Sequence, residues 1–295
     1  MLQTGSDRRE ETSLSKIWPV HYALGVAGIA VIRNWMKGDE TAEECAEELR
    51  SLANRFSEDS SLRFQLDIPD MDVESGYRLW ADTYDDFHNP LIAVEEPIIR
   101  QLIDRIPPGR ALDAACGTGR YARYMSERGH EVSAVDLSPE MIERARPNTP
   151  GVEFRSGSLE ELPFPDQTFD LVMCGLALTH LPAISKAVSE IGRVLKVSRT
   201  AVIADHHPMA GFLGGSAIFQ DKERFYRNVR SYVHPHSEYV SAFAAADLDI
   251  QECHEPQMTQ EQAAKGPLFT ISPKAFLRGV VGMPLALIWR VVRRS

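Results

Sequence analysis

The sequence predicts an α/β fold: a mostly parallel sheet of seven strands covered by helices and preceded by an N-terminal helical cap. Three observations carry this. From residue 94 onward, helical and strand periodicities alternate with short connections, as they do where crossover helices join parallel strands. A strand at 110–115 runs straight into a glycine turn and then a helix. The front of the chain, by contrast, shows only helical recurrences.

The elements follow in order. Leu24, Ala27, Val31 and Trp35 recur at helical spacing over 22–35, and Gly38 stops that helix; a second amphipathic helix is expected over 41–56. Residues 39–74 hold twelve acids against three arginines, and DIPDMDVESG reads as a polar linker, so we place a boundary near Met71. A helix over 94–105 ends at Pro107-Pro108-Gly109. Strands are expected at 110–115, 131–136, 152–157, 169–175 and 200–205, with helices at 120–128, 138–146 and 184–195 between them. Ser138 followed by Pro139 marks a helix start, with serine as N-cap and proline at the first helical position. A glycine- and aromatic-rich insertion fills 206–236, then a helix over 237–246 and two last strands at 249–255 and 267–272. The expected division is a cap over 1–70, a sheet domain over 71–272 and an apolar, basic C-terminal helix over 273–295.

Composition narrows the function. With 43% hydrophobic residues in 295, a sizeable core is available, and a net charge of -10 argues against a chain that coats nucleic acid phosphates. Cys45, Cys116, Cys174 and Cys253 lie far apart, which makes a reduced, cytoplasmic compartment the default and a zinc cluster unexpected. The first residues lack the apolar run of a secretory signal, and no apolar stretch reaches the roughly 20 residues that span a bilayer. Stable membrane insertion is therefore not expected, whereas burial or homodimer formation would suit the C-terminal run.

The most informative segment is Ala111-Leu112-Asp113-Ala114-Ala115-Cys116-Gly117-Thr118-Gly119-Arg120. Two glycines let backbone approach a ligand at the carboxyl edge of the sheet, where open α/β folds bind their ligands. A triphosphate loop would need a G-K-[ST] ending, which is absent. A dinucleotide fingerprint, and with it an NAD(P)-dependent oxidoreductase, is met by Gly117, Gly119 and Ala122 with Asp136 downstream. Against it stands Asp113, whose charge would face a pyrophosphate poorly and would suit a ligand bearing an ammonium group.

Asp113, the glycine turn and Asp136 together resemble the cofactor site of class I S-adenosylmethionine-dependent methyltransferases, whose usual loop reads L-D-x-G-C-G-T-G. The resemblance continues through VDLSPEMIERAR, SGSLEELPFPDQTFDLVMC and EIGRVLK, in family order and spacing. It implies a Rossmann-like class I methyltransferase sheet, S-adenosyl-L-methionine as cofactor and methyl transfer to a small molecule of the natural-product type. It further implies that Asp136 takes both ribose hydroxyls, that Leu137 and Met141 pack on the adenine, and that Gly157, Ser158, Leu159 and Cys174 border it. Tyr84, in SGYRLWADTYDD, would lie near the methionine part, where an aromatic face favours a sulfonium cation. Ala115 stands where the family usually has a glycine, and Ser158 where it often has an acid.

Methyl transfer needs alignment more than a nucleophile, so a general base is useful but optional. The catalytic candidates are His180 and His206, each at the carboxyl end of a strand, with Asp205 able to orient an imidazole, and Tyr22 in the front helix. His234 and His236 match no metal spacing, so no metal is expected. Phe212, Phe219, Phe225, Tyr226 and Tyr232 in the insertion point to a planar aromatic or heteroaromatic acceptor such as an indole. A protein that binds the cofactor without methylating fits the same residues.

Overall fold

The computed structural model describes residues 14–17, 19–38, 41–59, 65–86, 89–266, 269–270 and 272–295. Strand β1 (Leu14–Ile17) is followed by helix α1 (Pro19–Lys37) and helix α2 (Ala42–Glu58). Thr41 caps α2 reciprocally: its side chain accepts from the Glu44 N–H while the Glu44 carboxylate accepts from the Thr41 N–H. The stretch read as a polar linker is instead strand β2 (Leu66–Met71) and helix α3 (Val73–Trp80), the latter capped by Asp72. Acids and Pro69 disguised β2, but it sits in a small sheet at the surface, and only Ile68 is fully buried.

The large sheet begins after helix α4 (Pro90–Asp104). Strands β3 (Arg110–Ala114), β4 (Glu131–Asp136), β5 (Glu153–Ser156), β6 (Phe169–Gly175) and β7 (Leu195–His206) run parallel. Helices α5 (Arg120–Glu127), α6 (Pro139–Ala145) and α7 (Ser185–Val194) connect or cover them. Ser138 caps α6 as its sequence implies, accepting from the Met141 N–H at 3.3 Å. The insertion folds into helix α8 (Pro208–Phe212) and a hairpin of strands β8 (Ala217–Gln220) and β9 (Tyr226–Val229). β9 pairs in parallel with β2, giving a second sheet of order β1-β2-β9-β8 that ties the front of the chain to the insertion. Helix α9 (His236–Ala245) and strand β10 (Leu248–His254) follow as expected.

The C-terminal region corrects the sequence reading. Of the strand expected at 267–272, Phe269 and Thr270 form a turn, while residues 267, 268 and 271 lie outside the described residues. After helices α10 (Gln260–Ala264) and α11 (Pro273–Val280), the run expected to be helical becomes strand β11 (Ala286–Arg293). β11 lies antiparallel between β7 and β10, completing the order β10-β11-β7-β6-β3-β4-β5. It is buried on both faces from Ala286 to Trp289, which is why ALIWRVVR shows no alternation of apolar and polar residues. The seven-stranded, mostly parallel architecture nevertheless holds.

One core layer packs α7 and α9 on the sheet through Val188, Ile191, Tyr239 and Phe243; the other packs α4 and α5 through Ile99, Leu102, Tyr121 and Met125. Helix α1 buries Ala23, Val26, Ala27 and Ala30, with α2 and α11 among its neighbours.

Candidate functional site

The carboxyl ends of β3, β4 and β6 open into a cleft with about 700 Å³ of empty space. It collects Tyr84, Ala115, Gly117, Asp136 and Leu137, as expected from the sequence. Gly157, Ser158 and Leu159 close one side, and His180 stands at the far end. Gly117 has a positive φ of 52° and nothing within 4 Å of where a side chain would start, so the turn leaves open backbone facing the cleft.

Asp136 holds this turn together. Its Oδ2 accepts from the Gly117 N–H at 2.7 Å and its Oδ1 from the Ser138 N–H at 2.9 Å, and each oxygen keeps a lone pair for a ligand. Burial pushes its pKa up, and those two N–H groups oppose the shift. No lysine or arginine is among the described residues lining the cleft, so its only formal charge is this carboxylate. Such an anionic acceptor fits two donating hydroxyls and a cationic sulfonium. It leaves a pyrophosphate without a cation.

Several expected residues lie elsewhere. Asp113 does not face the cleft: it is 1% exposed, and its Oδ2 accepts from the Ala122 N–H of α5 at 2.7 Å. Its charge supports the glycine turn from behind, and burial raises its pKa to about 7. Gly119 is the N-cap of α5 with φ 83° and packs against Ala145 and Thr149, away from the cleft. Met141 is fully buried beside Trp80, Phe219 and Val229, and Cys174 is fully buried in the main core. Tyr22 lines a separate hollow between α1, Leu213 and Met283.

A second cavity, with about 940 Å³ of empty space, adjoins the first and is lined by Trp80, Asn89, His206, Ala217 and Leu285 among others. Tyr77, Tyr84, Leu176 and His180 line both. Trp80 stacks on Phe219 with centroids 4.7 Å apart and meets Tyr84 edge-on at 5.0 Å, fixing the aromatic wall. Two non-glycine residues at the rim hold left-handed backbone, Ala115 (φ 64°) and Leu176 (φ 57°). Such strain persists where surrounding structure imposes it, here through the Leu176 N–H donating to the Ala204 carbonyl at 2.7 Å.

The imidazoles have defined states. His180 Nδ1 lies 2.9 Å from the Arg230 carbonyl, so it carries the proton, and Nε2 accepts from the Tyr77 hydroxyl at 2.8 Å. Burial lowers the His180 pKa. His206 is lowered to about 4 by burial, with His207 and His180 adding to the shift. Asp205 does not orient the His206 ring, as the sequence reading had it. Its Oδ1 accepts from the His206 backbone N–H at 2.8 Å and its Oδ2 from the Tyr239 hydroxyl at 2.7 Å, and burial raises it to about 6. What shapes the place of the ring is Gly215, where a Cβ would come within 2.7 Å of His206 Cε1.

His207, His236 and Glu255 bring ligand-type atoms within 4.8 Å of one another. However, His207 Nδ1 accepts from the Met209 N–H at 3.1 Å, which leaves its Nε2 as the protonated nitrogen donating to Glu255 at 3.0 Å. That tautomer suits a hydrogen-bonded cluster and opposes metal ligation through Nε2. His234 is turned to Glu238 and to the carbonyls of Leu178 and Leu181.

Sequence reasoning missed Val73, Tyr77 and Leu176 at the rim. Tyr77 lies in the same segment as Tyr84, and its helical offset of seven from it was the available signal.

Comparison with known proteins follows the same lines. The family model described as "Methyltransferase domain" matches residues 112–203. The chain is 37% identical over 103 residues to an uncharacterized methyltransferase of Bacillus subtilis, covering 33% of this chain and 41% of that protein. It is 38% identical over 97 residues to a demethylmenaquinone methyltransferase of Chlorobaculum parvum, covering 32% and 40%. The matched stretch thus spans about two fifths of those relatives' length. The crystal structure of an S-adenosylmethionine-dependent methyltransferase from Mesorhizobium loti superposes with a TM-score of 0.54 at 21% identity, over 70% of this chain and 100% of that one, which shows a shared fold. The sheet order, the cleft and these matches define a methyltransferase domain. Residues 112–203 match that domain, and the large sheet shares the fold of the S-adenosylmethionine-dependent methyltransferase on which it superposes, the fold that the resemblance of the glycine turn implied.

Proposed function

We propose that this protein is an enzyme that transfers the methyl group of S-adenosyl-L-methionine to a small, uncharged acceptor of aromatic or heteroaromatic character, as in natural-product modification. The observation that carries the reading is the pair of adjoining cavities sharing Tyr77, Tyr84, Leu176 and His180. Asp136 would bind the ribose hydroxyls, Leu137 and Leu159 would flank the adenine, and Tyr84 would face the sulfonium. When bound, the cofactor supplies an activated methyl on a good leaving group. The acceptor would occupy the second cavity against Trp80, where alignment supplies most of the rate. No lysine or arginine is among the described residues there, which disfavours a carboxylate or phosphate acceptor. His206, lowered to about 4, is neutral at pH 7 and can accept the proton an O–H or N–H acceptor releases, whereas the free nitrogen of His180 is held by the Tyr77 hydroxyl and could take a proton only through it.

In this reading residues 1–70 form a cap that acts on the acceptor cavity indirectly. Its β2 pairs with β9, and the β8–β9 hairpin carries Ala217 and Ile218 into the cavity wall. The cysteines described, Cys116, Cys174 and Cys253, are unpaired, and no described helix is long and apolar enough to cross a membrane. The unpaired thiols support a reducing setting such as the cytoplasm, and the net charge of -10 supports a small-molecule acceptor over nucleic acid. The test is incubation of the purified protein with methyl-labelled cofactor and the small-molecule fraction of a cell extract. Label in a low-mass aromatic product is expected. Cofactor binding without any transfer would leave a non-methylating binding protein.

A further inference from the structure

Helix α1 is apolar on two sides. One side buries Ala23, Val26, Ala27 and Ala30 within the chain. The other presents His21, Gly25, Gly28, Ile32 and Trp35, which follow one another at offsets of four, three, four and three and so form a single stripe. Ile32 is 67% and Trp35 82% exposed, among the largest exposures of any described apolar side chain. Two large apolar side chains left exposed on one helix face form a candidate contact patch.

The stripe is graded. Its C-terminal half carries the two bulky side chains, and its N-terminal half carries Gly25 and Gly28, each with nothing within 4 Å of where a Cβ would start. Beside the glycine half lies a hollow with about 460 Å³ of empty space, lined by Tyr22, Gly25, Ile29, Leu213 and Met283. Bulk at one end and a hollow at the other make the surface complementary to itself when reversed, the requirement of a two-fold contact in which i meets j and j meets i.

We propose that α1 is the contact face of a homodimer, in which two copies cross antiparallel about an axis at Gly28. Ile32 of each copy then seats against the partner's Gly25, and Trp35 covers the partner's His21 and the hollow beside it. Charge favours this face over others. Two copies of net charge -10 repel, and α1 is a 19-residue helix without a single aspartate or glutamate in a chain that holds 42. Trp35, Ile32 and Tyr22 would contribute on the order of 400 Å² of apolar area per copy, about half of a standard interface. Leu213, at the end of α8, lines the hollow and extends the surface beyond α1. A parallel pairing would set Trp35 on Trp35 and leave the glycine ends apart, so the gradient selects the antiparallel one.

Sedimentation of the full chain at micromolar to hundred-micromolar concentration tests this. The expected mass is twice the 33.0 kDa of one chain, falling to a single chain in Trp35→Asp with an unchanged circular dichroism spectrum. Gly28→Cys should cross-link to itself on oxidation. Trp35→Cys should not, because its two copies would stand about 20 Å apart along the helices. A wild-type monomer at the highest concentration, a Trp35→Asp dimer, or cross-linking of Trp35→Cys in place of Gly28→Cys would each overturn the proposal. So would a monomer that co-sediments with phosphatidylglycerol vesicles through Trp35, since the stripe would then face lipid.

Discussion

Replacing Asp136 by alanine tests both the architecture of the glycine turn and its role. The carboxylate accepts from the backbone N–H groups of Gly117 at 2.7 Å and Ser138 at 2.9 Å, so the substitution removes two charge-assisted bonds before any ligand is considered. At ~1.5 to 3 kcal/mol each in a buried setting, and toward the low end because the residue is half-buried and water can enter, the fold should lose about 3 kcal/mol. In a chain of 295 residues that corresponds to a melting point lower by roughly 5 °C. Binding should fall separately. If the remaining lone pairs take the ribose hydroxyls, affinity for S-adenosylhomocysteine drops at least tenfold, or more than about 1.4 kcal/mol. Calorimetric titration well below the lowered melting point, paired with a thermal melt, separates the two effects. A lower melting point with affinity unchanged would remove Asp136 from the cofactor site, and an unchanged melting point would refute the two backbone bonds.

Other expectations follow from the same geometry. Ala115 holds φ 64°, so Ala115→Gly should stabilise the protein by about 0.5 to 1 kcal/mol, strain relief outweighing the added unfolded-state entropy, whereas Ala115→Val should destabilise it in the same denaturation assay. Glu95 and Asp113, both raised to about 7, and Asp205, raised to about 6, keep protons in the folded state that the unfolded chain has released. The folded state therefore binds more protons, and stability should fall by at least about 1 kcal/mol as pH rises from about 6 to 8. The depressed His206, His180 and His130 act in the opposite sense as pH rises through the unfolded histidine pKa near 6.5, so urea midpoints at these two pH values read the net change, in which the three acids should outweigh the histidines. Once the acceptor is in hand, a base with the His206 pKa of about 4 predicts a rate flat above about pH 5 and falling below it, with His206→Ala lowering kcat on the order of 100-fold. A wild-type rate still rising through pH 6.5 would assign the proton to another group.

Much of this was legible because local chemistry and tertiary fold agree. The strand, glycine turn and helix at 110–127, the Ser138-Pro139 helix start and the Ile184 to Leu195 periodicity each state their structure within a few residues. The side of the cleft proposed to hold the cofactor was legible too, since β3, β4 and β5 deliver Ala115, Asp136 and Gly157 to one edge. The acceptor side was less readable. Tyr77 reaches His180 across 103 residues of sequence, and no local pattern encodes that contact. Asp113 was misread because the residue type is right for a ligand, yet the pleat sends its carboxylate to the Ala122 N–H. The last strand was taken for a helix because burial on both faces removes the period that would distinguish them. Its antiparallel place between β7 and β10 depends on partners far away in the chain.

The central claim is that the cleft over Gly117 and Asp136 binds S-adenosylmethionine and not a dinucleotide. Its most direct test is a calorimetric titration of the wild-type protein with S-adenosylhomocysteine and, separately, with NADH. The account predicts saturable one-to-one binding of S-adenosylhomocysteine per chain and no measurable heat with NADH, since no lysine or arginine is among the described residues lining the cleft and the carboxylate of Asp136 faces it. Tighter binding of NADH than of S-adenosylhomocysteine would contradict it.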